Sequence, residues 1–295
     1  MGHQRDCIGL VLGCWLSAGT AILGIAMSAG CTHVAVRDGP GASHEVLTLS
    51  PYVGRLRTVT VTVNGKPVTL LFDTGGGQTL VTPAVAERVG CRADGVSTGF
   101  RMSGERVSFR QCGRVELGLG DVTRELSSLA AFDLNALLPA ELPRLDGLLA
   151  LDALTNTPFT LELGANRLTL ETASSLRARI AEATPVDMRI ATGVDGGSAS
   201  VFLSARAPSG QHLWLELDSG NLAPVLLATH VRVDAGTGAT MAGHVPLTLG
   251  KITTAPLAYE RRELILDGAL NAEFLEHYAV TIDMVQGRTW IAAAH

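Results

Sequence analysis

Aromatic residues make up only 4% of this 295-residue chain, and no block of Lys or Arg runs through it. The first shortage means that its cores must be packed mainly from Val, Leu, Ile and Ala. The second, together with a net charge of −5, removes the basic footprint that a nucleic-acid binder carries. Several catalytic signatures are also missing: there is no His-Glu-x-x-His, no Gly-x-Ser-x-Gly and no P-loop. In Gly236-Thr237-Gly238-Ala239-Thr240-Met241, Met241 stands where a dinucleotide fingerprint needs Gly. The eight His are scattered, and Cys91 with Cys112 is not a zinc spacing, so neither a metal nor a cofactor is expected. What is abundant is 46% hydrophobic residues, a mean hydropathy of +0.27 and 33 Gly. These describe a globular, turn-rich protein with enough chain for two modest cores.

Charge is absent from Cys7 to Met27, so residues 1–31 read as an export signal or a membrane anchor. The small residues Ser28-Ala29-Gly30-Cys31 resemble a bacterial lipobox, with Ser28 where Leu is usual. That resemblance implies lipidation at Cys31 and residence in the periplasm or cell envelope, anchored to the membrane. A plain cleaved signal and an uncleaved anchor are the other readings. Cys7 and Cys14 lie in the apolar run, which leaves Cys91 and Cys112 as the pair in the mature protein. An oxidising compartment would let them join as a disulfide; otherwise they are two buried thiols.

Residues 32–54 read as a turn-rich tether. Thr58 to Val63 then alternates strictly, Asn64-Gly65 is a strong hairpin signal, and Pro67 to Phe72 returns as a second strand. The hairpin delivers Asp73 in Asp73-Thr74-Gly75, followed by Gly76-Gly77, a pair that would give the turn slack. Leu215-Glu216-Leu217 leads in the same way into Asp218-Ser219-Gly220. A carboxylate between apolar runs calls for a partner, and each of these acids could be the other's. The surroundings repeat as well. Leu266 to Leu275 aligns without gaps on Leu145 to Leu154, Val280 to Met284 on Phe159 to Leu163, and Arg288 to Ile291 on Arg167 to Leu170. Asp73 lies 73 positions before Asp146, whereas Asp218 lies 49 before Asp267. The longer first half has room for an extra hairpin about Ser103-Gly104. Asp146 and Asp267 themselves read as structural turn or capping residues.

These features resemble the pepsin and retropepsin superfamily of aspartic proteases in its bacterial single-chain form, over Arg55 to the C-terminus. The resemblance implies a mainly β fold with short helices, built as two homologous acid-protease lobes with the active site at their interface. On that division residues 55–173 form the first lobe, 174–184 a connector and 185–295 the second lobe. It also implies that Asp73 and Asp218 are the catalytic dyad, that the Thr74 and Ser219 hydroxyls brace the two turns, and that Gly75 and Gly220 allow close approach to the dyad. The extra hairpin would be a substrate flap, with Phe100, Met102, Ser103 and Gly104 near its tip. It carries no Tyr, which makes the retropepsin branch the nearer likeness. The family ends a later apolar segment in Gly, where this chain has Ala150 and Asn271. The expected activity is hydrolysis of extended peptides by a water that the dyad activates, with a monomer as the default state. A silent peptide-binding protein and an envelope scaffold on the same fold are the alternatives.

Overall fold

The Asn64-Gly65 turn sets the first hairpin, because both residues hold positive φ (49° and 73°), the twist that a two-residue connection needs. In the computed structural model, which describes residues 44–193, 197–234 and 240–294, strand Arg57–Val63 pairs with Lys66–Phe72. Val59, Val61 and Val63 point into the core, as strict alternation requires. Strand Gly147–Leu149 then lies parallel to Lys66–Phe72 and antiparallel to Leu80–Val81. The second half repeats the arrangement. Ala199–Arg206 pairs with His212–Asp218, and Gly268–Asn271 lies parallel to the latter and antiparallel to Val225–Ala228.

Gly147 and Gly268 are what allow the inserted strands to fit. A Cβ on Gly147 would collide with the Leu80 carbonyl and come within 2.7 Å of the Val81 Cα; on Gly268 it would collide with the Leu226 carbonyl. The obstacles are backbone and cannot rotate away. Gly147→Ala and Gly268→Ala are each expected to destabilise the chain by about 3 kcal/mol or more, the upper range of overpacking, as read by chemical denaturation. The preceding acids complete the repeat. Asp146 Oδ2 accepts the Thr69 N–H (3.0 Å) and Asp267 Oδ2 the Trp214 N–H (2.8 Å), each four residues before its lobe's Asp-Thr-Gly or Asp-Ser-Gly turn. Both acids brace the hairpins from outside the cleft.

A 6-stranded sheet joins the halves among the described residues. At its centre Phe159–Glu162 pairs antiparallel with Tyr278–Asp283, and the repeat-equivalent Thr160 and Thr281 hydroxyls meet at 3.0 Å. In its described part, 44–54, the expected tether is instead paired strand. Glu45–Thr48 pairs with Arg167–Leu170, Ser50–Pro51 pairs with the first hairpin, and the Tyr52 hydroxyl donates to the Pro143 carbonyl. The reason is local: Leu47 and Leu49 fill the core, an alternation obscured by the surrounding polar residues. Between the halves, helix Ala173–Ile180 is closed by a capping box from Thr172 and Ser175 and leads to strand Thr184–Val186.

Cys91 and Cys112 form a disulfide with Cα atoms 5.5 Å apart, tying helix Pro83–Arg88 to the base of the long hairpin Ala93–Phe100 and Arg106–Cys112. The described residues fall in one compact unit. Among them no helix is long and apolar enough to cross a membrane. Cys31 and the proposed signal 1–31 lie outside the described residues, as do residues 236–239 of the rejected dinucleotide motif.

Candidate active site

Each acid-bearing turn emerges from a strand that the inserted strand holds in place. The Asp73 N–H donates to the Leu149 carbonyl (3.0 Å), and Asp218 stands in register with Asn271. The turns then bind one another through four buried hydrogen bonds. The Thr74 N–H donates to Ser219 Oγ (3.0 Å) and the Ser219 N–H to Thr74 Oγ1 (2.9 Å). Each hydroxyl passes its own proton to the opposite strand, Thr74 to the Leu217 carbonyl (2.7 Å) and Ser219 to the Phe72 carbonyl (3.0 Å). Every donor and acceptor of this four-part grip is satisfied, as burial demands.

The grip brings the two carboxyls together. Gly75 lies against the Asp218 carboxyl and Gly220 against the Asp73 carboxyl. A Cβ on Gly75 would stand 2.7 Å from Asp218 Cγ, and one on Gly220 would overlap Asp73 Cγ, so only Gly fits beside either acid. The Gly75 N–H donates to Asp73 Oδ1 (2.9 Å), the Gly220 N–H to Asp218 Oδ1 (3.1 Å), and the Asn221 amide to Asp218 Oδ2 (3.3 Å). Burial raises the pKa of Asp73, opposed by the Gly75 N–H, by Asp218 and by the Gly220 and Gly76 N–H groups. Burial also lifts Asp218 well above the usual carboxylate range, and the negative charges of Asp73 and then Glu216 add to it. Two buried carboxyls this close resist ionising together.

Gly76-Gly77 does not supply slack. Gly77 takes φ +69°, its carbonyl accepts the Ala199 N–H from the other lobe (2.8 Å), and a Cβ on Gly76 would press on Leu148 at 2.5 Å. The two departures from the family pattern are both buried. Ala150 is fully buried in a small apolar cluster with Leu56, Leu71, Leu145 and Leu148. Asn271, also fully buried, donates its amide to the Ala223 and Pro224 carbonyls (3.0 and 2.7 Å) and so secures the segment after Asp218-Ser219-Gly220.

The pair lies in a cleft of about 1040 Å³ whose lining includes Phe100, Met102 and Ser103 from the long hairpin. Gly104 turns the hairpin tip at φ +82°. The tip reaches the second lobe, where the Ile265 N–H donates to the Met102 carbonyl (2.9 Å). Phe100 is 67% exposed and Ile265 65%, so both offer apolar surface at the rim of the cleft.

Two acids carry more than their sequence context signalled. Asp152 sits beneath the first turn, its carboxylate accepting the Thr79 N–H (3.0 Å) and hydroxyl (2.5 Å); burial first, against those bonds, pushes its pKa up to about 6. Glu216 lines the cleft beside Asp218 and is pushed up to about 7, by burial first and by the Asp73 charge, against a hydrogen bond from Ser200. The one sequence signal for Glu216 is its place two residues before Asp218, which on a strand means the same face. Both acids bind a proton more tightly folded than unfolded. The stability this gives is complete below their ordinary values, 3.8 and 4.5, and is lost as pH rises through about 6 and about 7. Denaturation is therefore expected to show stability falling by a few kcal/mol, on the order of 1.4 per pKa unit, between roughly pH 4 and 8. Asp152→Asn should make the decline below about pH 6 shallower, leaving the share that belongs to Glu216. Among the described residues no group of His, Cys, Asp and Glu is arranged to hold a metal ion.

The two interlocked lobes and the paired acids define a class, the two-lobed acid-protease fold. Residues 59–153 match the family model described as aspartyl protease. The crystal structure of basic 7S globulin from soybean superposes with a TM-score of 0.54 at 10% identity, covering 85% of this chain and 96% of that one. At that identity the likeness speaks for the fold. No curated protein sequence matches. Over residues 59–153 the chain is similar to the aspartyl protease family, and it shares the fold of the superposed globulin.

Proposed function

We propose that the protein is an aspartic endopeptidase in which Asp73 and Asp218 act as one acid–base unit. The observation that carries this reading is the interlocking of the Asp73-Thr74-Gly75 and Asp218-Ser219-Gly220 turns, which sets both carboxyls in one cleft beside the long hairpin. The ionised member takes a proton from a bound water as it attacks a peptide carbonyl, and the protonated member hydrogen-bonds the carbonyl oxygen. The proton then passes to the departing amine as the C–N bond breaks, and no acyl-enzyme forms. An extended peptide fits the reading, with the flap's backbone groups offering strand-like hydrogen bonds and the apolar rim at Phe100 and Ile265 receiving side chains. The substrate is a peptide or protein, the chain acts as a monomer, and the N-terminal segment holds it at the envelope through Cys31.

A second reading has its own support: the flap tip is already hydrogen-bonded to the opposite lobe through Met102 and Ile265, and the superposed soybean structure is by name a globulin. On it the chain binds peptides without cutting them, or serves as an envelope scaffold. The full-length chain, incubated with an unbiased peptide library from roughly pH 3 to 8, separates them by mass spectrometry. New internal termini support the peptidase, retained intact peptides the binder, and neither the scaffold.

A further inference from the structure

The repeat makes the lobes near-equivalent, and the departures from equivalence around the acid pair fall on one side. Two residues before Asp73 stands Leu71, in the small apolar cluster of the first lobe. Two residues before Asp218 stands Glu216, only 5% exposed and lining the same cleft as both aspartates. Strand alternation puts Glu216 and Asp218 on one face of His212–Asp218.

The groups around Glu216 leave its charge without a counter-ion among the described residues. From its own strand it meets Asp218, and from the first-lobe turn Asp73; these are the charges coupled to it. The neighbouring strand Ala199–Arg206 sets Phe202 opposite it in register and supplies the Ser200 hydroxyl. On the other side, Gly268–Asn271 offers Ala269 in register and Asn271 beyond, neither titratable. The two cations lining the cleft, Arg262 and Arg101, pair with Glu260 (2.5 Å) and Glu105 (3.6 Å). Asp73 has no such acid on its own strand, where Leu71 takes the equivalent place, and its carboxylate accepts the Gly75 N–H (2.9 Å), a bond that favours its charged form. Asp218 receives the Gly220 N–H and the Asn221 amide but faces a second acid.

We propose that Glu216 is a positioning residue that fixes the shared proton on Asp218 and leaves Asp73 as the base. This rests on the peptidase reading for its consequence, though not for its test. In the reaction, Asp73 takes the proton of the attacking water and Asp218 hydrogen-bonds the carbonyl oxygen. The proton on Asp73 then moves to the amine as the C–N bond breaks, and Asp218 ends as it began. As pH rises and Glu216 ionises, losing the Asp218 proton becomes harder, which extends the one-proton state toward neutral pH.

The test is a carboxyl-carbon NMR titration of the full-length chain labelled at Asp, with the Asp218 signal identified by its loss in Asp218→Asn. In Glu216→Gln the Asp218 midpoint should fall by about one pH unit, the size of effect expected on removing a close like charge, while Asp73 stays in place. Glu216→Leu, which copies the first lobe, should give the same shift if the Gln variant folds poorly, and Ser200→Ala a smaller one in the same direction. Where peptide is cleaved, the basic limb of kcat/KM should move down with the midpoint and the acid limb should not. An unmoved or raised Asp218 midpoint in the folded variants overturns the proposal. A shifted midpoint in a chain that cleaves nothing upholds the placement of the proton and removes only the peptidase reading.

Discussion

Asp73→Asn and Asp218→Asn are each expected to lower peptide cleavage by at least about 10³-fold, the scale of a lost general acid or base, and the double variant to lose little more. The interlocked turns set the carboxyls in one cleft, so removing one leaves the other with no partner to exchange a proton with. Groups that act as a unit give non-additive losses. Folding should survive in both variants, because Asn keeps the carboxyl's shape while removing a buried acid's desolvation cost. Initial rates with a peptide substrate, beside thermal melts, check both halves of the expectation. Losses that multiply would mean two independent groups.

The second large effect falls on stability. Thr74→Val removes one hydroxyl and leaves two buried groups unpaired, the Ser219 N–H and the Leu217 carbonyl. At about 1–3 kcal/mol for each unsatisfied group, a loss of about 2–6 kcal/mol follows. Ser219→Ala strands the Thr74 N–H and the Phe72 carbonyl in the same way. Because the two hydroxyls serve one interlocked set, a double-mutant cycle should show coupling well above the few tenths expected of distant sites. Cleavage should fall too, since the bonds that hold the turns together also hold the carboxyls in contact. A cost under about 1 kcal/mol in chemical denaturation would mean that the shared sheet and the other bonds between the lobes hold them without this grip.

The parts of this fold that could be read from the chain are those with strong local chemistry or exact repetition. Asn64-Gly65 dictates its hairpin by backbone conformation, and the gapless match of Leu145 to Leu154 with Leu266 to Leu275 carries the pseudo-symmetry that Thr160 and Thr281 mark at the sheet's centre. Asp73 and Asp218 stood out because a carboxylate between apolar strands needs a partner. What escaped notice depends on long-range contact. Glu45–Thr48 opens only a short alternation, Leu47 and then Leu49, and it becomes a strand where Arg167–Leu170 offers it an edge. Gly76-Gly77 suggested slack, since glycine's freedom is visible in sequence, whereas the Ala199 N–H that fixes the Gly77 carbonyl comes from far along the chain. Glu216 passed as one polar step in an alternating strand. Its surroundings of Asp73, Asp218 and Ser200 exist only once the lobes close.

The most direct test is hydrolysis of a defined extended peptide by the full-length chain in ¹⁸O-labelled water, quenched during turnover and read by mass spectrometry. Cleavage that places one labelled oxygen in the new C-terminal carboxyl, with no covalent adduct on the protein and no product from Asp73→Asn or Asp218→Asn, is the predicted result. A folded wild-type chain that binds the peptide but leaves it intact throughout roughly pH 3 to 8, or an adduct trapped on the protein, would contradict it.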